Sequence, residues 1–128
     1  MSDLTKLNKL TAELEDFILG GNSNYFEYKP TKGTIIGFGL YHNDNMAAMR
    51  VFCAEGSVFP IHQHKEKEFV IVYDGELEFT VEKETKILNR GDSKIIPPNT
   101  KHHFNVNKDS WVLCITIPAS PEYPGAKR

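Results

Sequence analysis

The chain has 128 residues, 40% of them hydrophobic and 25% charged, with a formal charge of −2. That is the make-up of one globular domain, long enough to bury a core without disulfides. A balance this close to neutral gives no general attraction to nucleic acid or to an anionic membrane surface, so neither is an expected partner.

The chain opens on an amphipathic helix. Leu4, Leu7, Leu10, Leu14, Phe17 and Ile18 recur at helical spacing over residues 3–19. Ser2 can cap its start, and Gly20-Gly21 stops it. Residues 1–20 are therefore expected to form an N-terminal α-helix, packed on the domain itself or on a partner subunit, since the apolar stripe must be buried. The leucines are interspersed with Lys, Glu and Asp. That is neither a signal peptide nor a membrane span, and a cytoplasmic protein is expected.

From Lys32 onward the pattern changes to period two. Strands are predicted at Thr34–Tyr41, Ala47–Ala54, Glu68–Tyr73, Glu76–Glu82, Thr85–Leu88, Ser93–Ile96, His103–Val106 and Ser110–Pro118. Asp74-Gly75, Arg90-Gly91-Asp92, Pro97-Pro98-Asn99 and Asn107-Lys108-Asp109 read as the turns between them. Many short strands with frequent turns indicate an all-β sandwich or barrel over residues 21–118. Residues 119–128, rich in Pro, Gly and charge, read as a C-terminal surface arm.

Alternation assigns faces. Leu77, Phe79 and Val81 point one way, and Glu76, Glu78, Thr80 and Glu82 the other, so one face is core and the other solvent. Glu68–Tyr73 is apolar on both faces and needs a covering layer. Together with the N-terminal stripe, this favours a homodimer. Cys53 and Cys114 lie in apolar runs and read as buried small hydrophobes. Tyr25, Phe26, Tyr28, Tyr41 and Trp111 read as packing residues, some able to roof a cavity.

The chemistry concentrates in His62, His64, Glu68 and His102. His62 and His64 project to one side of an extended backbone, and Glu68 shares their parity. His102 arrives from a later strand after Pro97-Pro98. Neighbouring barrel strands can send such side chains into a common interior. An isolated His-x-His pair is a weak signal, because most histidines are surface or satisfied polar groups. Three imidazoles and a carboxylate in this joint spacing are a ligand set for one divalent transition metal, whether Fe, Mn, Ni, Cu or Zn.

The two segments resemble the signature motifs of the cupin superfamily. The first, G(X)5HXH(X)3-4E(X)6G, is matched by Gly56, His62, His64, Glu68 and Gly75. The second, G(X)5PXG(X)2H(X)3N, is matched by Gly91, Pro97 and His102. Asn99 stands where the family has glycine, and Val106 where it has asparagine. The resemblance implies a double-stranded β-helix (jelly-roll) barrel over roughly residues 33–118, with one metal held inside by His62, His64, Glu68 and His102. His103 competes with His102 as the third imidazole, but motif register favours His102, and parity then turns His103 away from the cavity.

Further pocket candidates follow from parity alone. Val70 shares the Glu68 face. Arg50 and Phe52 share one face of their strand, and Met49, Val51 and Cys53 share the other. An inward Arg50 would clamp an anion, whereas an outward one is a surface residue. His42, at the end of an early strand, lies either at the cavity mouth or in solvent. Cupin proteins include dioxygenases, decarboxylases, isomerases and non-enzymatic sensors. The resemblance therefore implies a metal-dependent enzyme acting on a small oxygen-rich molecule, or alternatively a sensor module that binds a small molecule or metal without turnover.

Overall fold

A computed structural model describes Ala12 and residues 25–124. The helix expected over residues 3–19 lies, apart from Ala12, outside the described residues. The rest is all-β, with eight strands: β1 Tyr25–Tyr28, β2 Ile35–His42, β3 Ala47–Cys53, β4 Val58–His62, β5 Lys67–Val81, β6 Glu84–Asn89, β7 Ser93–Ile96 and β8 His102–Ile117. Their order is β1-β2-β3-β8-β5-β6, with β4 paired to β8 and β7 to β5, every pair antiparallel. Among the described residues no helix is long and apolar enough to cross a membrane.

The long β5–β8 pair organises the molecule. It runs from Lys67 opposite Ile117 to Val81 opposite His102. Two of the predicted turns are absent: Asp74-Gly75 lies inside β5, and Asn107-Lys108-Asp109 inside β8. The pairing instead slips in register between Val72 and Leu77. Gly75 adopts φ +98, and a Cβ there would lie 2.5 Å from the Asp109 carbonyl oxygen and 2.6 Å from Ser110 Cα. Ser110 Oγ repairs the broken ladder by accepting from Glu76 N–H at 3.0 Å and donating to the Lys108 carbonyl at 2.7 Å. An Asp-Gly pair reads as a hairpin turn from sequence, but the same left-handed glycine serves a bulge, which bends a strand without reversing it.

Inward side chains of β2, β3, β5 and β8 form the core, among them Ile35, Met49, Val51, Val70, Val72, Leu77, Phe79 and Val112. A second apolar group, Ile36, Phe38 and Phe52 with Tyr25, Ala54 and Trp111, lies on the opposite face of β2, β3 and β8. Strand parity thus sends Met49, Val51 and Cys53 inward, and Arg50 and Phe52 outward. The face assigned to solvent on β5 is not uniformly wet: Thr80 is buried, with its hydroxyl 2.8 Å from that of Thr85. Tyr41 is half exposed rather than packed.

The segment read as a surface arm does not leave the barrel over residues 119–124. Ser120, Tyr123 and Pro124 are buried. The Ser120 N–H donates to Thr116 Oγ1 at 2.9 Å, and the Tyr28 hydroxyl donates to the Glu122 carbonyl at 3.1 Å. Composition suggested exposure, but one tyrosine with an apolar ring suffices to pull this short segment inward.

Candidate metal centre

Local devices in three separate passages aim the histidines. In β4 the register slips between Phe59 and His62, so that Phe59 faces Phe104 while His62 faces His102. The extra residue places Pro60 and Ile61 outside, both exposed, and turns His62 inward. A bulge is also where a strand tolerates proline. His64 follows β4 in a short loop whose carbonyl accepts from Asn99 N–H at 2.7 Å. Asn99 holds φ 57, left-handed geometry that asparagine supports in place of glycine. His102 starts β8. Val106, where the family has asparagine, is buried in the core, and its backbone bonds both Gly56 and Ser57, at 2.8 and 2.9 Å.

The three rings meet in one cluster. Their centroids are 4.0 Å apart for His62 and His102, 5.0 Å for His64 and His102, and 5.9 Å for His62 and His64. One ring nitrogen from each lies within 4.8 Å of the others. Each Nδ1 sits against a backbone carbonyl: His62 on Pro60 at 2.9 Å, His64 on Glu66 at 2.9 Å and His102 on Thr100 at 2.8 Å. A carbonyl only accepts, so each Nδ1 carries a proton, and it is Nε2 of each ring that is left to bind a ligand when the ring is neutral. His102 Nε2 is buried and has no hydrogen-bond partner. A buried acceptor without a donor is costly, unless it serves as a ligand. This donor set, with its orphaned nitrogen, fits a divalent transition metal.

Glu68 is buried beside two of the three rings. Its Oε1 lies 3.7 Å from His64 Nε2 and 3.5 Å from His102 Nε2. Burial alone would raise its pKa, but the neighbouring imidazoles of His102 and His64 and the Tyr123 hydroxyl outweigh it and hold the carboxyl down at about 2. The same carboxylate pushes His64 up, against the effect of burial, while burial pulls His62 down. Glu68 is therefore an ionised carboxylate at neutral pH.

These groups line one wall of a cavity of about 80 Å³ whose remaining surface is mostly apolar, including Ile35, Val51, Val70 and Val112. Cys53 and Cys114 also line it as free, buried thiols. Burial raises the pKa of both, that of Cys53 to about 12, so they present neutral sulfur. Of the weaker pocket candidates, Val70 reaches the cavity and the other three do not. Phe52 belongs to the outer apolar group. Arg50 is exposed, donates from Nε to the Tyr73 hydroxyl at 3.0 Å and lies 4.5 Å from the Trp111 ring centre, so it is no anion clamp. His103 pairs with Thr80 on the outer face, opposite in parity to His102. His42 neither lines the cavity nor stands free: its Nε2 lies 3.2 Å from the Ser120 carbonyl.

Of the aromatics read as packing residues able to roof a cavity, Tyr28 lines it, whereas sequence reasoning missed Glu122 and Tyr123 on the cavity wall. Tyr123 has no motif, and only an isolated aromatic in a polar tail could have marked it.

The Cupin domain family matches residues 49–118, more than half of the chain. Over 74 residues the chain is 32% identical to quercetin 2,3-dioxygenase of Bacillus subtilis (strain 168), covering 57% of this chain and 22% of that protein, so it spans about a fifth of that relative's length. Among solved structures, KdgF from Halomonas sp. superimposes with a TM-score of 0.68 at 24% identity, over 76% of this chain and 91% of that one. An RmlC-like cupin from Shewanella frigidimarina NCIMB 400 does so with a TM-score of 0.67 at 22% identity, over 73% and 84%. Likeness at these identities shows the fold alone. With the motif, the barrel and the family match in agreement, the chain belongs to the cupin family.

Proposed function

We propose that this protein is a metal-dependent enzyme acting on a small oxygen-rich molecule inside its barrel, with His62, His64, His102 and Glu68 holding one divalent transition metal. The observation that carries the reading is the buried, unpartnered Nε2 of His102, facing the same space as two other imidazoles whose Nδ1 protons are already committed to carbonyls. A bound ion would supply Lewis acidity or a redox couple at coordination positions the protein leaves open. The chain's own part is to turn three Nε2 atoms toward one point, to offset the ion's charge with Glu68, and to exclude bulk water with an apolar wall. Likeness to a protein named as a quercetin dioxygenase favours dioxygenation over decarboxylation or isomerisation.

Metal analysis of the protein as purified tests the reading. About one equivalent of a transition metal is expected in the wild type, with loss in His62→Ala and weakened retention in Glu68→Gln. Unchanged metal content in both variants would sink the assignment. Oxygen uptake with catechols, flavonols and small keto acids then separates a dioxygenase from a module that binds without turnover, which a silent screen of the Fe, Mn, Ni and Cu forms would favour. A homodimer belongs to the same reading: Ile95 and Ile117, both about half exposed, flank the outward Phe69 and Ile115. A monomer by light scattering at micromolar concentration would count against it.

A further inference from the structure

The segment that closes the barrel carries a group with no part in the ligand set. Tyr123 is only 4% exposed, and its hydroxyl donates to Glu68 Oε2. The other oxygen of that carboxylate, Oε1, is the one that faces His64 Nε2 and His102 Nε2, at 3.7 and 3.5 Å. The two oxygens thus have separate tasks, one turned to the imidazoles and one to the tail. The tail is itself anchored at Ser120 and Glu122, through Thr116, His42 and Tyr28.

We propose that Tyr123 is a positioning residue for the metal centre, acting through Glu68. The inference rests on the metal reading above. The terminal torsion of a glutamate is broad and roughly two-fold, so an unrestrained carboxylate would swing Oε1 away from the rings at little cost. With Oε2 held by a phenol, that swing breaks a charge-assisted hydrogen bond. Groups that hold a ligand's second atom in this way set its direction, and their removal weakens metal affinity by about 10- to 100-fold. Seven residues of β8 and the tail lie between Ile115 and Tyr123, yet the Tyr123 hydroxyl reaches Glu68 on β5, so the placement of residues 119–124 is built into the site.

Tyr123→Phe keeps the ring and removes only the hydroxyl. Co2+ is the probe, with affinity measured by chelator competition and geometry by visible absorption, in the wild-type and Glu68→Ala backgrounds. The expected result is about a tenfold loss of affinity and an altered band in the wild-type background, and no further change when Glu68 is absent. Ser120→Ala loosens the tail, where the Glu122 N–H donates to Ser120 Oγ at 3.2 Å, but leaves the phenol in place, and is expected to keep Co2+ affinity within about twofold of wild type. Unchanged affinity and spectrum in Tyr123→Phe overturn the inference. So does an equal loss in both backgrounds, which is the mark of a tyrosine that merely plugs the barrel. Wild-type protein that takes up no Co2+ overturns the metal reading and this inference with it, whereas normal uptake with an indifferent Tyr123→Phe overturns the inference alone.

Discussion

The motif glycines are not equivalent, and replacing each by alanine separates two physical costs. Gly56, Gly75 and Gly91 share positive φ values, of 84, 98 and 91. A left-handed backbone costs an ordinary residue about 1–2 kcal/mol, from which the lower entropy of an alanine-containing unfolded chain returns about 0.4–1 kcal/mol. At Gly56 and Gly91 nothing lies within 4 Å of the added Cβ, so strain is the whole effect. Gly56→Ala and Gly91→Ala are expected to lose about 1 kcal/mol or less. At Gly75 the Cβ would meet Asp109 O at 2.5 Å and Ser110 Cα at 2.6 Å, both backbone atoms of the paired strand that no rotamer change can move. Overpacking of this kind adds about 1–3 kcal/mol, so Gly75→Ala is expected to lose about 2–4 kcal/mol. Urea unfolding of the metal-free proteins measures the three losses. For a domain of this size the difference corresponds to a fall in Tm of about 5–15 °C for Gly75→Ala against a few degrees for the others. Equal losses at all three positions would refute the reasoning, because strain alone would then suffice and the close β5–β8 approach would have no energetic consequence.

Metal removal is expected to lower the Tm of wild type, since an ion at 100 times its Kd contributes about 2.7 kcal/mol, and to leave His62→Ala unmoved; calorimetry with and without chelator checks this. The pH dependence has a definite sign. Glu68 is depressed from 4.5 to about 2, so its contribution to metal-free stability is present above pH 4.5 and lost as pH falls toward 2. His64 is raised from 6.5, so its contribution is full below pH 6.5 and lost as pH rises through the folded value. The pair therefore stabilises the metal-free protein most between about pH 4.5 and 6.5, and Glu68→Gln should flatten both limbs in urea unfolding. A His64 that holds its proton above pH 6.5 must release it to a metal, so calorimetric titrations at pH 7 in buffers of different ionisation enthalpy should show proton release. Arg50→Ala should cost about 0.5–1 kcal/mol through the lost Trp111 contact and leave metal affinity unchanged.

What the sequence carried was spacing, and what it lacked was direction across the sheet. Motif register favoured His102, and period-two parity then turned His103 away and grouped Val70 with Glu68, because parity is a property of one strand. It could not say which face of β3 was inside, since Arg50–Phe52 and Met49–Cys53 are both plausible core faces until β2 and β8 are laid beside them. The merging of predicted strands into β5 and β8 has the same origin. Asp74-Gly75 encodes a left-handed residue, and only the partner strand decides whether that residue reverses the chain or bends it. β4 was not among the predicted strands, and the proline within it, Pro60, occupies the bulge that aims His62. Tyr123 was invisible for the opposite reason: its direction depends on a nearby anchor at Thr116 and on two at His42 and Tyr28 that are far from it in sequence.

The candidate centre divides its requirements between these two levels. The protonation state is set locally. Pro60 lies two residues before His62, Thr100 two before His102 and Glu66 two after His64, so each Nδ1–carbonyl bond needs only its own short stretch of chain, a bulge in β4 or a loop. Convergence is set globally, by the register that puts His62 opposite His102 and Glu68 opposite Thr116. A short loop can hold the tautomer even while the sheet breathes, because its bond closes over two residues. The angle between rings has no such protection and depends on β4, β5 and β8 staying in register. Damage to the sheet, as at Gly75, should therefore reduce metal affinity by spreading the rings apart, with each Nδ1 still protonated. Damage to a loop carbonyl should instead leave the rings in place and free one ring to turn or change tautomer. The two kinds of loss are distinguishable by imidazole nitrogen NMR shifts in the metal-free protein: the first leaves the tautomer signature of all three rings intact, and the second changes it in one.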